Sequence, residues 1–164
     1  MTTEAPMATD STEKLTTFRS NDGDESITAS HVDVIETIIS SMEQDNTAMV
    51  NHSAGGHLWK FRYGSVDVFV QLSGETNNDT FTTWAPVHKL PVKNEAEMMH
   101  KLLTMNCGST FEACFGLIDQ SVVVFASRTL EDINPSEISR LITIVASIAD
   151  ENDESLLADY PTAE

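Results

Sequence analysis

The residues of this chain that could bind a metal ion are its histidines, His31, His52, His57, His88 and His100. A zinc site needs three or four ligands that converge tetrahedrally, usually with one close pair at helical or hairpin spacing. His52 and His57 flank an Ala-Gly-Gly turn and could meet, but no CxxC or HxxxH motif accompanies them. The sequence therefore predicts structural or surface histidines, no metal site and no cofactor.

Candidates for catalysis are equally sparse. Cys114 and His88 fall on two predicted strands, but no basic residue near Cys114 would favour a thiolate nucleophile. The carboxylates Asp150, Glu151, Asp153 and Glu154 fall at a predicted fraying helix end and are expected to be solvated. No glycine-rich loop that could cradle a phosphate is visible, so the sequence predicts no catalytic residues and a protein that is not an enzyme.

The charge of the chain limits the classes of partner. Its 164 residues carry a net charge of -17 at pH 7, and the excess is concentrated at the two ends. Residues 1–28 are expected to form a disordered acidic arm, residues 29–157 a single α+β domain, and residues 158–164 a disordered acidic tail. Because such a field repels phosphate backbones and anionic lipids, we expect neither nucleic acid nor a membrane as a partner.

The start of the sequence lacks the basic region and apolar run of an export signal. No stretch approaches the roughly 18 apolar residues that a membrane-spanning helix needs. The chain is therefore expected to be cytoplasmic, with Cys107 and Cys114 as free thiols in a reducing compartment.

The first half of the domain reads as a helix followed by three strands. A helix is predicted from Ser30, because apolar residues from Val32 to Met42 recur at steps of three and four. Residues 44–56 are predicted to form a loop with at most a short extended piece at 48–50. Two alternating strands then meet at a Gly64-Ser65 hairpin turn, and a third contains Pro86, which favours either an edge position or a strand end near Pro86.

The second half reads as helix, two strands, helix. Asn94 is a predicted cap of the second helix, and the strand that follows is expected to start at Phe111. The last helix has a clear start, with Asn134 as cap, Pro135 at the first position and Glu137 at the third. Because hairpins outnumber strand–helix–strand units, we predict an α+β fold with a five-stranded antiparallel sheet, in the order α-βββ-α-ββ-α.

The stretch from Met98 to Leu130 resembles the YbjN-like family, which shares the fold of type III secretion chaperones. The resemblance is carried by the turn that ends the second helix (Leu102, Leu103 and Asn106), the strand from Phe111 to Leu117, the turn at Asp119, and the helix from Pro135. It implies a small, acidic, usually dimeric module that binds segments of other proteins without ATP. The chain looks more like the cyanobacterial and plastid-lineage members than like a pathogen's effector chaperone.

The family's layout also implies where a homodimer would form. The expected contact comprises the second helix and the strand after it, through Met98, Met99, Leu102, Phe111, Ala113 and Phe115.

Some apolar residues of the predicted strands fall on the face that points away from the helices. They indicate a second surface that could bind a partner. If the alternate residues face the helices, Phe69, Cys114 and one of Val123 or Phe125 point outward, and Trp84 joins them. An apolar patch on an exposed sheet usually marks a partner or a subunit, although a helix of the same chain could also cover it. We therefore predict partner binding through Phe69, Trp84, Val123 and Phe125.

Three functional hypotheses remain at this point. The first is a non-catalytic, chaperone-like module that captures a peptide or flexible segment of a client protein as a homodimer. The second is a small-molecule or metal-binding sensor domain, with its pocket between the sheet and the first helix. The third is an enzyme of another type.

Overall fold

The computed structural model describes residues 23–43, 48–53, 56–74 and 76–163. Three helices and six strands follow one another within these residues. They are α1 (Gly23–Met42), β1 (Met49–Ser53), β2 (Gly56–Tyr63), β3 (Val66–Leu72), β4 (Thr80–Lys89), α2 (Glu95–Met105), β5 (Cys114–Ile118), β6 (Ser121–Thr129) and α3 (Pro135–Asp159).

The strands form one antiparallel sheet in the order β1-β2-β3-β4-β6-β5. The α+β class is confirmed, but the expected count of five strands is wrong. The additional strand, β1, lies in the segment that was predicted as a loop, and it pairs with β2 from Met49–Lys60 to Ser53–Gly56. Its short, mixed sequence carries no alternating pattern, so only its pairing with β2 defines it as a strand.

The hydrophobic core lies between one face of the sheet and the helices. Alternate strand residues point into it, because side chains on a strand alternate between the two faces. Trp59 and Phe61 of β2, Val68 and Val70 of β3, and Phe81 of β4 are each at most 1 % exposed. Apolar residues of α1 and α3 pack against this face, among them Ile35, Ile39, Ile138, Ile142 and Val145.

Both ends of the domain differ from the prediction. Helix α1 begins at Gly23 and not near Ser30, while residues 1–22 of the expected arm lie outside the described residues. Residues 158–163, expected to form a disordered tail, are ordered instead. Helix α3 continues to Asp159, Tyr160 is buried, and the amide of Lys93 donates to the carbonyl of Pro161 at 2.9 Å.

The hairpin turn between β2 and β3 is tied to α3. Gly64 has a φ of +52°, and a Cβ at this position would lie 2.0 Å from a carboxylate oxygen of Asp150. The hydroxyl of Ser65 donates to Asp150 at 2.9 Å or to Asp153 at 2.7 Å. The expectation of solvated carboxylates on a fraying helix end is therefore wrong for these two residues, because the hairpin turn covers them.

The edge position expected for Pro86 is wrong, because β4 is an interior strand. The alternative, a strand end near Pro86, holds only for the pairing with β3, which ends at Phe69–Trp84, whereas the pairing with β6 continues to Lys89 past an irregularity. Phe111 does not start the strand after α2. It lies in a turn with a φ of +53° and is 79 % exposed, and β5 begins only at Cys114.

The side chain of Asn106 covers part of the free edge of β5. Its Oδ1 accepts a hydrogen bond from the amide of Phe115 at 2.7 Å, and its Nδ2 donates to the carbonyl of the same residue at 3.1 Å. The carboxamide thus pairs with Phe115 as a neighbouring strand would. Unpaired edges promote association between sheets, so this contact limits strand addition at β5.

We expect Asn106→Ala to lower the free energy of unfolding by about 1–3 kcal/mol, because two backbone groups of Phe115 lose their partner. Asn51→Ala, at an exposed asparagine of the opposite edge strand, is the matched control and should change stability little. Urea denaturation followed by circular dichroism measures both. Equal stability of the two variants would show that the Asn106 contact contributes nothing.

Candidate functional site

The face of the sheet opposite to the core carries a row of side chains across five strands. The register places Lys60 of β2 opposite Phe69 of β3, Phe69 opposite Trp84 of β4, Trp84 opposite Phe125 of β6, and Phe125 opposite Cys114 of β5. We call this side of the sheet the open face. At about 4.8 Å between neighbouring strands, the row is about 19 Å long.

Phe69, Trp84 and Phe125 form the aromatic band at the centre of the open face. The rings of Phe69 and Trp84 are stacked, with centroids 5.2 Å apart and planes inclined by 9°. All three side chains are partly exposed, and Cys114 at the end of the row is exposed. The band therefore presents apolar aromatic surface to solvent in the part of the chain that the structure describes.

The rows beside the aromatic band differ in polarity. On one side lie Gln71, Thr82 and Ser127, and the hydroxyls of Thr82 and Ser127 share a hydrogen bond of 2.9 Å. On the other side lie Pro86 and Val123. Val123 was predicted to bind a partner and shares the open face with Phe125, but it is 1 % exposed, so this prediction is wrong for Val123 because it offers almost no surface for a contact.

A charged cluster on β2 and β3 borders the aromatic band. The ammonium of Lys60 lies 5.6 Å from the centroid of the Phe69 ring and 3.0 Å from a carboxylate oxygen of Asp67, while Arg62 lies 3.3 Å from the other oxygen. Partial burial raises the pKa of Asp67, but the hydrogen bonds from Lys60 and Arg62 outweigh it and hold this pKa below the ordinary value. Asp67 therefore stays ionised and holds both cations at the margin of the band.

A second apolar surface lies between α2 and β5, and we call it the edge groove. It has a volume of about 280 Å³ and is lined by Met99, Leu102, Leu103, Phe115, Gly116 and Leu117. Four of the residues predicted for the dimer contact, Met98, Leu102, Ala113 and Phe115, are buried within the chain. Of the remaining two, Met99 is partly exposed and lines the groove, whereas Phe111 is exposed in the turn before β5.

Sequence reasoning missed the exposed residues of the edge groove. Leu103 is 66 % exposed and Leu117 is 54 % exposed. A partial signal for Leu103 was available, because two adjacent leucines on a helix point about 100° apart and can therefore face different surroundings. Leu117 lacked such a signal, since its alternation with Phe115 predicts burial and only the position of β5 at the sheet edge exposes it.

The structure does not bring the candidate metal ligands together. Among the described residues, no group of three or more His, Cys, Asp or Glu side chains could hold a metal ion. The strand register places His52 opposite His57, but the side chain of His52 lies outside the described part of the chain. His57 stacks on Trp59, with ring centroids 5.5 Å apart, and His100 is exposed.

His88 and Cys114 lie on opposite faces of the sheet and do not form a pair. His88 is buried, with Nε2 2.7 Å from the carbonyl of Tyr160 and Nδ1 accepting from the amide of Lys89 at 2.8 Å. This arrangement makes it a structural contact between β4 and the end of α3. Cys114 and Cys107 are both free and exposed.

None of the helices in the described part of the chain has the length and apolar character needed to cross a membrane.

The two tryptophans lie on opposite faces of the sheet, which allows the open face to be tested. Trp59 is 1 % exposed and its indole N–H lies 3.4 Å from Glu36, whereas Trp84 lies in the aromatic band. We expect Trp59→Phe to leave a red-shifted emission that acrylamide quenches strongly. Trp84→Phe should leave a blue-shifted, protected emission. Equal protection of both tryptophans would mean that the open face is covered in solution.

Comparison with known proteins identifies the family. No curated protein matches the chain. The family model YbjN, described as "putative bacterial sensory transduction regulator", matches residues 31–158, which include most of α1 and every later helix and strand except the final residue of α3. This match covers far more than half of the chain and includes both the open face and the edge groove. The chain therefore belongs to the YbjN family.

Proposed function

We propose that this protein is a non-catalytic regulatory module that binds an apolar peptide or flexible segment of a client protein on the open face of its sheet. The single observation that carries the proposal is the aromatic band, in which Phe69, Trp84 and Phe125 stand side by side on adjacent strands. The family's description as a regulator, and not as an enzyme, supports the non-catalytic part.

The contacts of the band are suited to a polypeptide. Aromatic side chains combine a large apolar area with few rotatable bonds, so little conformational entropy is lost when a partner packs on them. The hydroxyls and amide of Thr82, Ser127 and Gln71 lie beside the band and offer hydrogen bonds to a backbone. An extended segment of about six residues spans the 19 Å row at about 3.3 Å per residue.

A display library of random peptides of about twelve residues, selected against the whole protein, tests the binding activity. Fluorescence anisotropy then measures the affinity of the selected peptides. We expect Trp84→Ala and Phe69→Asp to weaken binding at least about tenfold, because buried aromatic anchors dominate such interfaces.

Leu157→Asp is the matched control, since Leu157 is an apolar residue on α3 that is 51 % exposed. It should bind the selected peptides like the unmodified chain. The proposal fails if no peptide is enriched. It also fails if the Trp84 and Phe69 variants keep full affinity, or if both unfold, which would make these side chains part of the core.

We further propose that the chain forms a homodimer through the edge groove. The support is the concentration of apolar side chains there, with the exposed Leu103 and Leu117 lining one groove. The buried members of the predicted contact, such as Leu102 and Phe115, would form its floor. The similarity of this chain to the fold of type III secretion chaperones also stays a prediction.

We expect the unmodified chain to sediment as a dimer and Leu103→Asp to sediment as a monomer, because a carboxylate in an apolar interface loses its hydration without a partner. Leu157→Asp again serves as the control and should remain dimeric. A wild-type chain that stays monomeric over the concentration range of the experiment contradicts the proposed dimer.

A further inference from the structure

The helices and the strands of this protein carry net charges of opposite sign. The three helices contain twelve acidic and two basic residues, a net charge of -10. The six strands contain one acidic residue, Asp67, and four basic residues, a net charge of +3. The acidic character of the whole chain is therefore not shared by the sheet that carries the proposed binding face.

Three of the four basic strand residues belong to the open face. Lys60 and Arg62 lie on β2 at one side of the aromatic band, and Lys89 lies opposite Ser121 near the end of β4. The fourth, Arg128, pairs with Phe81 of the core face in the register and contacts Glu137 of α3. The open face thus has positive margins around an apolar centre.

Asp67, the one carboxylate among the strand residues of this face, does not neutralise these margins. Asp67 contacts both Lys60 and Arg62, at 3.0 Å and 3.3 Å, so the three side chains together retain one positive charge. Lys60 and Asp67 are 42 % and 37 % exposed, which leaves their charges accessible to a partner. Lys89 is exposed as well.

We propose that the client segment that binds the open face is acidic: its apolar side chains pack on Phe69, Trp84 and Phe125, and its flanking carboxylates lie beside Lys60, Arg62 and Lys89. This inference rests on the proposed function and adds the charge of the partner. The net charge of -17 would by itself favour a basic partner, so the charges of the open face point to the opposite sign.

Screening by salt explains why the charges close to the contact, and not the net charge of the chain, determine which segment binds. At an ionic strength of about 0.15 M, charges separated by more than about 8 Å are largely screened in water. A segment on the open face is separated from most helical carboxylates by about 10 Å, the spacing of packed layers, whereas Lys60 lies in the same row as Phe69 and Trp84, and Arg62 lies two residues further along β2. The strand charges nearest to the segment, those of Lys60, Arg62 and Asp67, therefore sum to one positive charge.

A nucleic acid would also bring negative charge and flat bases to such a face, but it fits less well. Nucleic-acid affinity depends on several phosphate contacts made together by basic side chains. The strands supply a net charge of only +3, and the helices behind them carry -10. A short acidic peptide segment needs only a few such contacts.

The experiment uses the full chain and the apolar core of the best peptide from the display library. Three synthetic versions carry glutamate, glutamine or lysine at both ends of the same core. Fluorescence anisotropy measures their affinities at about 0.15 M salt, where the local charges dominate. We expect the glutamate-flanked peptide to bind at least about tenfold more tightly than the lysine-flanked one, with the glutamine-flanked peptide between them, as a few charge pairs at the rim would produce.

Charge-reversal variants locate the effect. Lys60→Glu should reduce or reverse the preference for glutamate flanks, and Lys89→Glu tests the opposite margin should the first variant fail to fold. Arg140→Glu is the matched control, because Arg140 lies on α3 and pairs with Glu112, away from the open face. This control should keep the preference unchanged.

The outcomes separate the inference from the proposed function. If the lysine-flanked peptide binds as tightly as the glutamate-flanked one or more tightly, the acidic partner is wrong while peptide binding stands. If no peptide binds whatever its flanks, the proposed function itself fails. A labelled single-stranded oligothymidylate that displaces the peptide, or a loss of the dimer in Phe69→Asp, would overturn the inference by assigning the face to nucleic acid or to a second copy.

Discussion

The whole arrangement depends on one geometric constraint, the alternation of side chains between the two faces of an antiparallel sheet. Helices α1 and α3 pack on one face only, so each strand residue is either part of the core or part of the open face. Val70 and Phe69 are neighbours in the chain, yet Val70 is fully buried while Phe69 stacks on Trp84 on the opposite side. A slip of one residue in register would exchange these roles, and the buried face protects against it.

Helix α3 maintains this register from both of its ends. Near its start, Glu137 contacts Arg128 of β6, and its amide donates to the cap residue Asn134 at 3.0 Å. Towards its end, Asp150 and Asp153 hold Ser65 in the β2–β3 turn, and the carbonyl of Tyr160 meets the buried His88 of β4. The helix therefore joins the hairpin, the central strand and the second half of the sheet into one unit.

The division of charge follows from the same architecture. Exposed positions on the helices tolerate carboxylates because each is well hydrated, and the acidic residues of α3 that turn inward are hydrogen-bonded. The open face, by contrast, has apolar side chains along its centre and few charges at its margins. This member of a family described as a regulator has two distinctive surfaces, the open face and the edge groove.

The start of a helix could be predicted from the sequence where neighbouring residues alone set it. The cap at Asn134 followed by Pro135 predicts the start of α3, and the structure confirms it with a hydrogen bond from the amide of Glu137. Asn94 was predicted from the same residue preference, but its φ is +56° and its side chain makes no cap hydrogen bond. The amide of Lys93 beside it donates to the carbonyl of Pro161, a contact between distant parts of the chain that a local residue preference does not include.

The placement of Phe69 and Trp84 on the open face followed from alternation alone, whereas the position of β1 at the sheet edge did not. The sequence by itself determined the period of the helices and of the strands other than β1, the hairpin at Gly64-Ser65 and the sign of the net charge, because these depend on neighbouring residues and simple sums. Only the tertiary structure decided that Asp153 is buried, that Asn106 covers the edge of β5, and that Leu103 and Leu117 line one groove. Each of these facts joins residues that are distant in the chain or depends on which strand lies at the edge, and a local pattern carries no information about either.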